Sequence, residues 1–225
     1  MLTNLARTHA AARTSRTCYA IAIAFALWSA STARPMAHAA RPGTTLPVIV
    51  YDYVGVSPAT LDEALRTVER IYRDAGVEVV WHIFDRERLA RAIKDPGSDN
   101  TPVDGALFVH LRTEVMTDSC RCGSNVLGLA IPGSRHARIH TPRVERLSGK
   151  RGDDFALLLG HVMAHEMGHL LLPPPAHTVT GLMAVSLDLA DVARGGLRFT
   201  PDEASTIRTR IAYGVHLSPF PSERR

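Results

Sequence analysis

Two histidines four positions apart, His165 and His169, stand in an apolar run and limit what this chain of 225 residues can fold into. On a helix, positions four apart lie on one face, so both imidazoles can bind one metal ion from the same side. Glu166 stands between them, and the apolar run at 155–172 is typical of a buried helix. Burying two imidazoles and a carboxylate without a partner is unfavourable, and a metal ion would supply that partner. The sequence therefore predicts a buried helix that binds a metal ion.

A third histidine, His177, follows His169 after Pro173-Pro174-Pro175. Three histidines leave the fourth position of a tetrahedral zinc ion open for water, as catalytic sites do, whereas structural sites use four protein ligands. Zinc held by neutral imidazoles lowers the pKa of its bound water to about 7. We therefore predict His165, His169 and His177 as zinc ligands. Glu166 is the predicted catalytic residue, because it can accept the proton of that water during attack on a carbonyl carbon.

Other side chains compete for the place of the third ligand. His161 lies one helical turn before His165 on the same face. Three ligands in a line along one helix suit a tetrahedral ion poorly, which favours a packing role for His161. Asp188, Asp191 and Glu203 are the alternatives farther along the chain.

The first 39 residues have the composition of a secretory signal. Arginines precede an apolar run at 18–30, and Ala37-His38-Ala39 offers small residues at the cleavage positions, with 31–33 as an alternative cut. The apolar run is shorter than the roughly 20 residues that span a bilayer, which favours cleavage over anchoring. We expect 1–39 to be removed and 40–225 to form a single domain. The composition suggests a bacterial protein, so the domain would be periplasmic or secreted.

The positive charge of the chain comes mainly from this segment. The formal net charge is +4, and residues 1–39 hold four of the 26 basic residues and none of the 22 acidic ones. The remainder, roughly 185 residues, suits one domain with a proper core. Its balanced charge gives no sign of nucleic-acid binding, and no second segment favours stable membrane insertion.

Cys120 and Cys122 are the cysteines that remain after cleavage. A disulfide across one intervening residue would be a small, strained ring. The two thiols could also bind metal, pair between molecules, or cap the zinc ion as in some latent metalloproteases. The sequence leaves these alternatives open.

Hydrophobic patterning places the secondary structure around the metal helix. Ser57 and Pro58 mark the start of one helix, and Thr200 marks the start of the last. The region after His177 is predicted to be irregular up to Thr200. Strands are predicted at 46–56, 77–84, 106–112, 126–131 and 138–141. Helices are predicted at 59–75, 85–94, 153–172 and 201–212. The fold class is therefore α+β, with one mixed sheet packed on helices.

The pattern His165-Glu166-x-x-His169, with His177 and then Met183 downstream, resembles the metzincin clan of zinc-dependent endopeptidases. The resemblance implies a zincin-like domain in which the sheet packs on the metal helix and a small C-terminal subdomain follows. It also implies that Met183 forms a turn beneath the zinc ion. The specific motif is short, whereas the order of strands and helices is similar over most of the chain.

Two departures from the clan pattern concern the return of the chain after the metal helix. The clan places a glycine at the reversal and the third histidine soon after it, and this chain has Leu172 and Pro175 at those positions. His177 comes two residues later than the clan spacing. Gly181 can supply a tight turn before Met183, and no tyrosine follows as a further ligand. Met183 as ordinary core filling is the alternative.

In the clan, an extended substrate adds alongside the edge strand that precedes the metal helix. The resemblance implies that the matching segment here is Leu127, Gly128, Leu129 and Ala130. Backbone pairing of that kind gives affinity with little sequence preference. The alternative is an ordinary buried strand.

The sequence thus favours a secreted zinc metallopeptidase with a peptide or protein substrate and Zn²⁺ as cofactor. A zinc amidase that acts on cell-wall peptides uses the same residues. A non-catalytic binding protein on a zincin scaffold is a further alternative, although it has no need of Glu166. A structural zinc site would require a fourth ligand such as Cys120 or Cys122.

Overall fold

The computed structural model describes residues 44–95, 103–118, 123, 125–131, 133–149 and 152–214. The predicted signal at 1–39 and both Cys120 and Cys122 lie outside the described residues. One mixed sheet packs on helices, which confirms the predicted fold class. Within the described residues, no helix is long and apolar enough to span a bilayer.

The sheet has five strands in the order β2-β1-β3-β5-β4. The first four are mutually parallel, and β4 pairs antiparallel to β5 at one edge. Within the described residues β4 is an edge strand, so one row of its backbone groups is not paired with another strand. The strands are β1 (Thr44–Asp52), β2 (Val77–Phe84), β3 (Leu107–Leu111), β4 (Gly128–Ala130) and β5 (His136–Ile139).

Helices connect the parallel strands and continue to the end of the described chain. They are α1 (Pro58–Asp74), α2 (Arg86–Lys94), α3 (Glu114–Asp118), α4 (Thr141–Ser148), α5 (Gly152–Leu171), α6 (Leu189–Ala193) and α7 (Pro201–Ala212). The predicted caps are present: the Ser57 hydroxyl accepts the Thr60 N–H at 3.2 Å, and Thr200 and Glu203 form a capping box. The four predicted helices therefore lie within one residue of their predicted bounds.

The first predicted strand, 46–56, is wrong at its C-terminal end. The strand stops at Asp52, whose buried carboxylate accepts the backbone N–H groups of Val54, Gly55 and Val56 at 3.0, 2.9 and 2.8 Å. A side chain that collects three successive donors turns the chain away from the sheet ladder.

The sequence also misplaced elements before the metal helix. The strand predicted at 126–131 is shorter, and the one predicted at 138–141 ends at Ile139 because Thr141 and Pro142 begin α4. Helices α3, α4 and α6 were not predicted. The prediction of irregular chain between His177 and Thr200 is wrong where α6 forms, with Asp188 as its N-cap.

The core lies between the sheet and the pair α1 and α5. Alternate residues of β1 (Leu46, Val48 and Val50) are fully buried on this side. Helix α5 is buried along most of its length, and the Tyr72 hydroxyl of α1 donates to its backbone at Ala164, at 3.3 Å. A helix buried on all sides is apolar all round, which explains the sequence at 155–172.

The opposite face of the sheet carries aromatic and histidine rings that stack on one another across the strands. The rings of Tyr51 and His110 are 5.1 Å apart, and those of Phe108 and His136 are 4.6 Å apart. The two histidines also meet, with Nε2 of His110 at 2.9 Å from Nδ1 of His136. Cross-strand ring pairs of this kind stabilise a sheet, and all four of these residues are partly buried.

A buried histidine, His140, joins α3 to the start of α4. Its side chain is fully buried, and its Nδ1 lies 3.1 Å from the hydroxyl of Thr117. Burial lowers the pKa of His140 to about 4, and the positive charges of Arg143, Arg112 and Arg138 act in the same direction. The residue is therefore neutral in the folded protein at neutral pH.

Between pH 4 and 6.5 the unfolded chain holds a proton on His140 that the folded chain does not. The stability contributed by this residue is full above about pH 6.5 and is lost as the pH falls towards 4. The variant His140→Asn retains a polar atom near Thr117 but has no group that titrates in this range. As the pH falls from 6.5 to 4, we expect its unfolding free energy to decrease less than that of the parent, by up to about 3 kcal/mol. Urea unfolding of both proteins without added metal measures the difference. Equal pH dependence in the two proteins would contradict the assignment.

Candidate metal centre and active site

Three histidine side chains converge at the end of α5. His165 and His169 lie one turn apart on the helix, and the chain returns after Pro173–Pro175 to bring His177 beside them. The Nε2 atom of His169 lies 3.1 Å from the Nε2 atoms of both His165 and His177. Nitrogen ligands of a tetrahedral zinc ion, at bond lengths of about 2.0–2.1 Å, stand about 3.3 Å apart. The three residues therefore fit a zinc ion, and the two-residue displacement of His177 does not keep it from the cluster.

The orientation of His165 is fixed by a backbone carbonyl. Its Nδ1–H donates to the Leu182 oxygen at 2.7 Å, which leaves the lone pair of Nε2 directed into the cluster. Burial lowers the pKa of His165, and burial with the neighbouring histidines lowers the pKa of His169 to about 4. Both imidazoles are thus neutral at pH 7, which is the form that binds metal.

His161, one turn earlier, does not join the cluster. It is fully buried, and its Nδ1–H donates to the Leu157 carbonyl of the same helix at 2.8 Å. Its Nε2 atom has no hydrogen-bond partner among the residues that the structure describes. The expected packing role agrees with this position.

The acidic alternatives for the third ligand have other partners. Asp188 caps the N-terminus of α6, and Asp191 pairs with Arg194 one turn later. Glu203 belongs to the capping box of α7. The cluster of potential ligands found in the described part of the chain contains histidines alone.

The turn at Met183 packs directly beneath the metal helix. Gly181 has φ = +84°, a conformation that favours glycine. A Cβ atom added to Gly168 would lie 2.6 Å from the Met183 sulfur, so this helix position has no room for a side chain. The Thr178 N–H donates to the Met183 carbonyl at 2.9 Å, which ties the strand-like segment after His177 to the turn.

The side chain of Glu166 packs against Gly128 of β4, whereas the Met183 turn packs against Gly168. It is buried, and a Cβ atom added to Gly128 would lie 2.5 Å from its Cγ and 2.6 Å from its Oε1. Burial raises the pKa of Glu166 to about 7, although a hydrogen bond with the backbone of Ala130 acts to lower it. A carboxyl group with this pKa can both accept and donate a proton near neutral pH.

A cleft of about 670 Å³ opens between β4 and the three histidines. The predicted substrate segment, Leu127 to Ala130, lines one side, and Glu166 lies in the wall. The structure thus brings together all the residues proposed for the metal, the proton transfer and the substrate. Met183 is buried beneath this group rather than in the cleft.

Sequence reasoning missed three contributors to the cleft and its support. Leu147 on α4 and Leu187 after the methionine turn add apolar walls. The Leu182 carbonyl orients His165. Thr141-Pro142 signals the helix that carries Leu147, but a backbone acceptor such as the one at Leu182 has no sequence signature.

His177 is the exposed member of the cluster, so its replacement removes one ligand without opening the core. We expect the parent to bind about one zinc ion, and His177→Ala to bind it at least about 100-fold more weakly, because even the loss of a partner that only orients a ligand costs 10–100-fold. Competition with a chromophoric chelator measures both affinities. His82→Ala, on β2, is the matched control and should match the parent. Equal affinity in the parent and His177→Ala would show that the cluster is not the metal centre.

The solved structures that are similar to this chain include two from archaeal proteins. The crystal structure of archaemetzincin from Methanopyrus kandleri aligns at a TM-score of 0.49 and 18% identity, over 76% of this chain and 98% of that one. A zinc-dependent peptidase from Methanocorpusculum labreanum aligns at a TM-score of 0.42 and 18% identity, over 72% and 99% of the two chains. No family model and no curated protein matches the sequence. These TM-scores describe a similarity alone, so function is inferred from the geometry of the site.

Proposed function

We propose that this chain is a zinc-dependent metallopeptidase that hydrolyses peptide bonds after export from the cell. The observation that carries the proposal is the convergence of three imidazole Nε2 atoms, at 3.1 Å spacings, in the cleft that contains Glu166. Neutral nitrogen donors in this number suit zinc, with His165, His169 and His177 as its ligands. A bound zinc ion would acidify a water molecule and polarise the carbonyl group to be attacked.

Glu166 is the proton carrier of the proposed reaction. Its buried carboxyl group lines the same cleft as the three histidines, where it would accept the proton of the attacking water and pass it to the leaving amine. A non-catalytic binding protein has no use for a carboxylate held in this place, which favours the enzyme over that alternative.

The open edge of β4 is the proposed seat of the substrate backbone. The strand pairs with β5 on one side, and its segment Leu127 to Ala130 faces the cleft. An extended peptide adds to such an edge through main-chain hydrogen bonds. That arrangement would place a peptide bond next to both Glu166 and the zinc ligands.

Replacement of Glu166 tests the proposal most directly. We expect Glu166→Gln to retain one zinc ion per chain and to lose about 10²–10⁴-fold in kcat for casein, since general acid–base catalysis contributes this much. Glu145→Gln, at an exposed position of α4, is the control and should keep parent activity. Zinc in all three proteins without hydrolysis in any would overturn the peptidase proposal.

The chemistry of the cleft favours peptides with neutral, apolar side chains. Among the described residues that line it, the ionisable side chains are Glu166 and the three histidines, and most of the others are apolar. Moving a charged side chain into such walls costs free energy without a compensating partner. This disfavours the charged stem peptides of a cell wall as substrates.

Matched peptides that carry Leu, Lys or Asp next to the cleaved bond test this preference. We expect kcat/KM to fall at least about tenfold from the Leu peptide to either charged one, which corresponds to about 1.4 kcal/mol. Purified cell-wall fragments serve as the comparison substrate. Faster cleavage of those fragments than of the Leu peptide would support the amidase alternative instead.

A further inference from the structure

The edge strand β4 is too short to hold its own position, although the site depends on it. It has three residues, and among the strands of the described chain it pairs with β5 alone. Gly128 packs on Glu166 with no space between them for a Cβ atom, and the Ala130 backbone bonds to the same carboxyl group. A small displacement of β4 would therefore change the surroundings of Glu166 and the edge offered to a peptide. Contacts outside the ladder have to fix this strand.

Arg143 of α4 supplies such contacts on the side where the chain enters β4. One guanidinium nitrogen, NH1, donates to the Gly123 carbonyl at 2.7 Å and to the Val126 carbonyl at 3.1 Å. The Val126 N–H also bonds to the Gly123 carbonyl at 3.1 Å, so the same oxygen closes a turn. Charge-assisted bonds of this kind are roughly twice as strong as neutral ones. The charged nitrogen thus binds both ends of the turn that leads into the strand.

The helix that carries Arg143 is itself fixed beside the strand. The His140 N–H, at the start of α4, donates to the Leu127 carbonyl at 2.8 Å. On the other side, Arg146 pairs with Glu114 of α3 at 3.1 Å. Arg143 therefore acts from a rigid support, and it is not among the residues that line the cleft.

We propose that Arg143 is a positioning residue that holds β4 against Glu166 and in register for an extended substrate. The inference rests on the proposed peptidase function. Arg143 touches neither the reacting atoms nor the histidine cluster, so its effect passes through the carbonyl groups of Gly123 and Val126. Removal of the Arg143 side chain frees the carbonyl groups of Gly123 and Val126, which precede β4. We expect this to weaken the pairing of long peptides with β4 more than that of short ones.

Hydrogen exchange tests the positioning without any assay of activity. In Arg143→Ala we expect amide exchange in 126–131 to be at least about tenfold faster than in the parent, while exchange in α5 is unchanged, because local opening exposes only the freed segment. Glu145→Gln is the matched control, since it changes an exposed charged side chain of the same helix and leaves both carbonyl bonds and the Arg146–Glu114 pair in place. Arg143→Lys retains the charge with a single donor group and should give intermediate exchange, which keeps the test usable if Arg143→Ala does not fold.

Kinetics on the zinc-loaded enzyme separate positioning from general stability. For an extended peptide we expect KM to rise about tenfold in Arg143→Ala, with kcat near the parent value. For a blocked dipeptide we expect both constants to change less than about twofold, because only the long peptide pairs along β4. Glu145→Gln should change neither KM nor kcat. Parent-like exchange and KM in Arg143→Ala, or equal losses on both substrates, would overturn the inference. A parent that cleaves no peptide would refute the proposed function, and exchange in 126–131 would then decide on the positioning alone.

Discussion

The site depends on the burial of a helix that carries two imidazoles of the cluster, His165 and His169, and the carboxylate of Glu166. Helix α5 is enclosed by the sheet, by α1 and by the C-terminal segment, so these side chains have little access to water. Burial without a partner costs free energy, which favours partners within the protein or in the cleft. His165 obtains the Leu182 carbonyl, and Glu166 obtains the backbone of Ala130. The Nε2 atom of His169 faces those of His165 and His177 at 3.1 Å, where a cation would bind all three lone pairs.

Two close packing contacts at glycine residues hold α5 between β4 and the Met183 turn. Gly168 admits the Met183 sulfur from below, and Gly128 admits Glu166 from above. In both places one glycine removes the side chain that would otherwise keep the backbones apart. The histidine cluster is thus positioned by packing against two separate segments of the chain. Its geometry follows from the tertiary fold more than from the helix alone.

The sequence predicts best what local spacing determines. His165, Glu166 and His169 share one helical turn, and Ser57-Pro58 and Thr200-Pro201 mark helix starts by capping chemistry. The strand boundaries were less predictable. Asp52 ends β1 by collecting three backbone donors, and this depends on the path of the chain after it. Helix α4 was not predicted, although Thr141-Pro142 is a typical helix start. Its eight residues are too few to give a clear helical periodicity.

The long-range contacts that support the site could not be predicted from the sequence. The bond from His165 to Leu182 joins a side chain to a carbonyl, and any residue type at 182 supplies that oxygen. The same holds for the carbonyl groups that bind Arg143. By contrast, the place of His177 was predictable once the proline run was understood as the end of the helix, since little chain remains to carry it elsewhere.

Glu166 links the two halves of the proposed mechanism. The carboxyl group lines the same cleft as the three histidines and also packs against Gly128 and bonds to the backbone of Ala130. A peptide that pairs with β4 would therefore be placed relative to the proton acceptor by direct contact through a single strand. This explains why a side chain is excluded at position 128: any Cβ atom there would separate the substrate strand from the group that serves it. The place of the proposed substrate strand and the surroundings of the proposed proton acceptor thus share one packing contact, that of Gly128 with Glu166.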